Sequence, residues 1–169
     1  MRKAIIILAI IITVLSLNKA SKVIIPKEAI RFRVIANSNK EEDQLLKKEI
    51  IKNLSPEIVE SSKAKNIEEA RKYLKNNLPK FEEIVNKTLE EKSANKEFNI
   101  NYGKNYFPKK EYKDIIYEAG EYESLVIKLG EGSGKNFWCV LFPPLCLVDE
   151  DMPNVKYKSL IKELIDKYF

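Results

Sequence analysis

Apolar and polar positions in this chain follow two different rhythms, one for each half of the body, after a first segment with no rhythm at all. That segment, Ala4 to Leu17, is fourteen residues without a charge, follows Met1-Arg2-Lys3, and is interrupted only by the mild polarity of Thr13 and Ser16. A basic flank before a short apolar run is the layout of a secretory signal, and the run is shorter than the ~20 residues of a comfortable transmembrane helix. Residues 1–20 are therefore expected to be a signal peptide, or an N-terminal membrane anchor held through residues 4–17. Ala20 suits the position before a cut, whereas Asn18 stands where a small residue is preferred.

Beyond it, Ile30, Phe32 and Val34 alternate with Arg31, Arg33 and Ile35, which predicts a strand with one apolar face. Ser38 and Glu41 have capping-box spacing, so a helix is expected to begin there, with Leu46, Ile50 and Leu54 on its buried stripe and Leu45 beside them. Ser55-Pro56 predicts a second start, with proline at the first helical position. Asn66 and Glu69 predict a third. From there Ile67, Ala70, Leu74, Leu78, Phe81, Val85 and Leu89 keep helical spacing, and Pro79 is expected to kink or divide the run.

The second half is built differently, and it holds all five glycines. Phe98, Ile100 and Tyr102 alternate as a strand, with turn residues and aromatics from Asn101 to Pro108. Glu118 to Glu121 predicts a turn, and Glu123 to Leu129 a strand carrying Leu125, Ile127 and Leu129 on one face. Phe137 to Phe142 is unbroken apolar sequence, as in a central or covered strand. Lys156 to Tyr168 predicts a last helix with Leu160, Ile161, Leu164, Ile165 and Tyr168 inward. The pattern is that of a single α+β domain: a mostly antiparallel sheet of about four or five strands with helices packed on it, preceded by the N-terminal segment.

Charge adds one exclusion. The formal charge is +5, but Arg2, Lys3 and Lys19 lie in the first 20 residues, which contain no acid, so the body is near balance. Its lysines alternate with glutamates, as in Lys40-Glu41-Glu42, and do not form the dense basic footprint of a nucleic-acid binder. No nucleic-acid partner is expected.

The candidate chemistry is sparse. There is no histidine, which removes the usual general base and the commonest metal ligand. The pairs Glu41-Glu42, Glu68-Glu69 and Glu82-Glu83 sit on helices, where neighbouring residues point about 100° apart and do not converge on a substrate. Gly130-Glu131-Gly132-Ser133-Gly134-Lys135 fails as a phosphate loop, because Leu129 and Asn136 occupy the positions of its first glycine and last hydroxyl. The segment fits better as a glycine-rich hairpin turn between Leu129 and Phe137. No catalytic residues, cofactor, metal or small-molecule substrate are expected.

The least usual stretch is Phe137-Trp138-Cys139-Val140-Leu141-Phe142-Pro143-Pro144-Leu145-Cys146. If the chain folds back at Phe142-Pro143, the two cysteines fall opposite each other at a spacing a disulfide accepts. Two buried free thiols satisfy the spacing equally well. An aromatic and aliphatic cluster at a proline turn is a reasonable docking surface, and a cap on the core is the plainer alternative.

These residues carry a resemblance. From Ile30 to about Asp149 the chain resembles the stage II sporulation protein R family of endospore-forming bacteria, most densely in four blocks. They are Ile30 to Ser38 with Glu42-Asp43-Gln44; Phe107-Pro108 with Tyr112; Ala119 to Glu123; and Leu129 to Gly132 with Asn136 to Cys146. The chain departs from the family's pattern at Phe137, where a tryptophan is common, and at Asn39, where aspartate is expected. The resemblance implies a forespore-made signal, secreted across the forespore membrane into the intermembrane space. There it would activate a membrane-embedded aspartic protease of the mother cell, which then processes a pro-sigma factor. On this reading residues 28–169 are the signalling domain, and they touch the protease through Phe137, Trp138, Phe142, Pro143, Pro144 and Leu145, with Tyr106 and Phe107 next. The remaining classes are an envelope-associated structural protein and a carboxylate-dependent wall hydrolase.

Overall fold

The structure, a computed structural model, describes residues 23–112, 115–147 and 154–169. The expected signal or anchor at 1–20 lies outside them. Among the described residues no helix is long and apolar enough to cross a membrane.

The chain runs through β1 (Val23–Ile24), β2 (Ile30–Ile35), three helices, then five further strands and a last helix. The helices are α1 (Glu41–Ser61), α2 (Ile67–Asn76) and α3 (Leu78–Glu91), with α4 (Asn154–Tyr168) at the C-terminal end. The strands are β3 (Phe98–Phe107), β4 (Lys110–Tyr112), β5 (Ile115–Tyr117), β6 (Gly120–Leu129) and β7 (Asn136–Phe142), and a 3-10 turn spans Leu145–Leu147. The class is α+β, as the two rhythms imply.

The sheet differs from expectation. There are two mixed sheets, β3-β6-β2-β7 and β1-β5-β4, in place of one mostly antiparallel sheet. β2 runs parallel to β6 and β1 parallel to β5. A parallel pair needs a long crossover, and α1 to α3 supply it between β2 and β6. Periodicity assigns faces to a strand but says nothing of its neighbour's direction, so this pairing could not be read along the chain.

Strand alternation then sorts the core. Phe32 and Val34 of β2, with Leu125, Ile127 and Leu129 of β6, pack against Leu46, Ile50 and Leu54 of α1, Ala70 and Leu74 of α2, and Phe81, Val85 and Leu89 of α3. A second cluster, Ile25, Ala29, Ile115, Val140, Leu145 and Ile161, joins the small sheet and α4 to the end of β7. β7 is an edge strand, buried over Val140 to Phe142 and half-buried over Asn136 to Cys139. Leu160, expected inward, is exposed, as is Leu45 beside the α1 stripe.

The helix ends correct two expectations and match two. Ser38 and Glu41 form no capping box: α1 has Lys40 at its N-cap with no side-chain cap bond, because the Ser38 hydroxyl is used by Asp43. Ser55-Pro56 starts no helix; Pro56 lies exposed inside α1, and the Ser55 hydroxyl donates to the Ile51 carbonyl. Asn66 does cap α2, accepting from the Glu69 N–H at 2.9 Å. Pro79 does divide the second run, with α3 opening at Leu78. β3, in turn, continues to Phe107 through residues expected as turn.

Cys139 and Cys146 are joined by a disulfide with Cα atoms 5.4 Å apart. Cys146 lies on the 3-10 turn and not on a strand facing Cys139. The bond ties β7 to that turn across Phe142-Pro143, whose peptide bond is cis. Closing so short a loop should contribute about 2.5 kcal/mol of stability. Substituting serine for both cysteines is thus expected to lower the urea midpoint by that equivalent with an unchanged slope, and an unmoved midpoint would disprove the contribution.

Candidate functional site

β2 exposes the logic of the site. Its odd positions, Arg31, Arg33 and Ile35, point away from the helices. Registers across the four-stranded sheet place Arg33 opposite Trp138 on one side and Val126 on the other, and Val126 opposite Asn101. Side chains in register share a face, so Trp138, Arg33, Val126 and Asn101 form one row across it. Arg31 stands in the next row with Val140, Ser124 and Gly103.

Both guanidinium groups meet aromatic rings. Arg31 is 1% exposed, its Cζ 3.3 Å from the Tyr122 ring centroid and 5.4 Å from that of Phe107. Arg33 lies 5.0 Å from Phe107 and 5.5 Å from Trp138. Lys110, at the start of β4 on the small sheet's edge, approaches Trp138 at 5.5 Å. Among the described residues no nitrogen of the Arg31 guanidinium has a hydrogen-bond acceptor in good geometry, Tyr122 being its nearest polar neighbour, and neither has Nε of Arg33. Burial lowers the pKa of both groups, with Tyr122 and Tyr117 opposing the shift at Arg31. Phe107, Tyr122 and Trp138 stack edge-to-face around them.

The residues expected to dock a partner are not gathered on one open surface. Phe107, Phe142, Pro143 and Leu145 are buried, and Pro144 and Phe137 are half-buried, Phe137 edge-on to Phe32 in the main core. Tyr106 alone is largely exposed, at 63%, on the opposite face of β3 from Phe107. Of the buried ones, Phe107 lies under the two arginines, while Phe142 and Leu145 belong to the two apolar clusters. Trp138, half-buried, is the expected residue that reaches the open part of the cationic face, with the buried Phe107 beneath it. Arg31, Arg33, Tyr122 and Lys110 were not singled out along the chain. Alternation already placed both arginines on the face opposite Phe32, and that was the available signal.

A second cluster fixes the end of β2. Asn37 Nδ2 and Ser38 Oγ donate to Asp43 Oδ2 at 2.8 and 2.6 Å, and the Lys96 ammonium meets Oδ1 at 2.9 Å. Burial alone would raise the Asp43 carboxyl, which is 1% exposed, but these donors and the Lys96 charge outweigh it and hold its pKa at about 2. The glycine segment wraps this turn. The N–H groups of Ser133 and Gly134 donate to the Asn37 and Ala36 carbonyls, that of Glu131 to Asn37 Oδ1, and that of Lys135 to Asn39 Oδ1. It is therefore no hairpin, because β2 lies between β6 and β7. Asn39 supplies an acceptor that aspartate would also supply, so that departure keeps the contact.

The four blocks that carry the resemblance meet at these two clusters: Arg31, Arg33 and Asp43 from the first, Phe107 from the second, Tyr122 from the third, and Trp138 with the glycines from the last. Among the described residues no group of three or more His, Cys, Asp or Glu is placed to hold a metal ion.

An α+β domain with a cationic, aromatic-lined sheet face is the class that fold and site define. Residues 26–152 match the stage II sporulation protein R family, and the chain belongs to that family. It is 44% identical over 128 residues to the stage II sporulation protein R of Bacillus subtilis (strain 168), a match covering 75% of this chain and 57% of that relative. The chain thus spans little more than half of that relative's length. No solved structure matches this chain.

Proposed function

We propose that this protein is an exported sporulation signal that switches on a membrane-embedded aspartic protease of the mother cell, leading to processing of a pro-sigma factor. Family membership over residues 26–152 is the observation that carries the reading. The basic and apolar N-terminal segment supports export across the forespore membrane, and the disulfide suits an oxidising, extracytoplasmic compartment. The body is not itself an enzyme on this reading. It acts by binding the protease's active arrangement more tightly than its inactive one, since a ligand shifts an equilibrium only by its differential affinity.

The test co-produces the chain with the protease and its pro-sigma substrate in a non-sporulating host and follows substrate shortening on a gel. Shortening is expected with the full chain and not with one lacking Met1 to Ala20. No shortening with either, once export of the body is verified, removes the protease reading; shortening with both removes the requirement for export.

A further inference from the structure

The cationic face has an electrostatic deficit. Arg33 and Arg31 share the ring of Phe107, and no carboxylate among the described residues forms an ion pair with either. An aromatic face returns less per cation than it costs to remove that ion from water. Arg31 is sealed under the rings and can only add positive potential. Arg33 and Trp138 are half-buried and open to solvent in part, and Lys110 is exposed. The row beyond, Asn136, Ile35, Lys128 and Asn99, brings another exposed cation and, like the Arg33 row, no acid.

From this we infer that the face around Arg33, Trp138 and Lys110 binds an acidic, carboxylate-bearing segment of a partner protein. Both cations lie 5.5 Å from the Trp138 ring centroid, so a carboxylate docked beside that ring feels both charges. A guanidinium offers coplanar N–H donors that match the two oxygens of a carboxylate. A bilayer is the poorer occupant. Apart from Lys128, the open remainder of the face is asparagine (Asn99, Asn101, Asn105), and among the described residues no protruding apolar side chain lies on it to enter a lipid surface, since the exposed Tyr106 belongs to the other face. Asparagine amides suit the backbone of an extended peptide. This inference deepens the protease reading by naming the chemistry of the contact, and the two can fail separately.

Trp138 is the only tryptophan in the chain, so its emission reports the site without a label. The full chain is titrated at low salt with hexaglutamate, with phosphatidylglycerol vesicles and with inorganic phosphate. A saturable emission change is expected with hexaglutamate, lost in high salt and about tenfold weaker in Lys110→Glu and in Arg33→Gln. Lys72→Glu, an exposed change on α2, should bind as the parent does. A change seen only with vesicles, one equally strong with phosphate, one unaltered in both site variants, or none at all would each overturn the inference. If Arg33→Gln does not fold, the exposed Lys110→Glu decides alone. A failed titration beside successful substrate shortening removes this contact and leaves the activator; a successful titration beside failed shortening does the reverse.

Discussion

Replacing Asp43 with alanine is expected to cost about 3–5 kcal/mol of unfolding free energy, because it strips the acceptor from a buried, charged cluster. The carboxylate takes both Asn37 Nδ2 and Ser38 Oγ on one oxygen and the Lys96 ammonium near the other. Without it Asn37 loses the contact that aims its Oδ1 at the Glu131 N–H. Asp43→Asn keeps one oxygen for the two neutral donors and should lose only the Lys96 pair, which is partly exposed, so its cost is expected to be about half. The two variants separate charge from hydrogen bonding. The same group sets an acid limit. Its folded-state pKa, about 2, lies below the ordinary 3.8, so the unfolded chain takes up the proton first. The stabilisation is complete above pH 3.8 and is lost as pH falls toward 2, roughly 2 kcal/mol in all. Glu57, held low by Lys80 and Tyr73 against its burial, acts in the same direction. Urea midpoints of parent and Asp43→Asn should converge across that window; parallel curves would show that Asp43 does not titrate as described.

How far the fold was legible follows from what each pattern encodes. Ile67 to Leu89 carried its own periodicity, cap and proline, all local, and α2 and α3 appear where those signals put them. The alternation of β2 was equally local and gave its two faces. Pairing direction is not local: β6 lies about ninety residues from β2, and only packing of the intervening helices decides that the two run parallel. The glycine segment failed as a hairpin for that reason. Its glycines are set by the backbone of a strand that enters between β6 and β7 from far upstream. The face with Arg31 and Arg33 was missed for a further cause. An arginine in an alternating strand has the polar position, and polar positions are assigned to solvent. Here aromatic residues from four other strands, β3, β5, β6 and β7, cover the two positions, and the contact exists only after folding. Of the eight docking candidates, Phe107, Phe142, Pro143 and Leu145 are buried, Phe142 in the main core, Leu145 in the second cluster and Phe107 under the two arginines.

Gly134→Ala should be as damaging as any substitution outside the main core. A Cβ at Gly134 would stand 2.2 Å from the Ser38 carbonyl oxygen and 2.6 Å from its carbon, backbone atoms that cannot turn aside. Relief requires pulling the glycine segment off the β2 end, which breaks the Gly134 and Ser133 N–H bonds to Ala36 and Asn37. A loss of about 3 kcal/mol or more is expected. Gly130→Ala should be milder although its φ is +49°, since the nearest atoms belong to the Asn37 side chain, 2.3 Å away, which can rotate at the cost of its bond to Asp43. Gly103→Ala, with nothing nearer than 3.8 Å, is the control and should stay within about 0.5 kcal/mol. The consequence reaches the cationic face. The segment that clasps Asn37 and Asn39 continues directly into β7, and it sets the register in which Arg33 faces Trp138. Slipping that register by one residue would turn Trp138 to the other face. Gly134→Ala and Asp43→Ala both release this clasp from opposite sides, so together they should cost less than the sum of each alone. Strict additivity in that double-mutant cycle would mean that the two contacts hold separate structures, and that the register of β7 is set elsewhere.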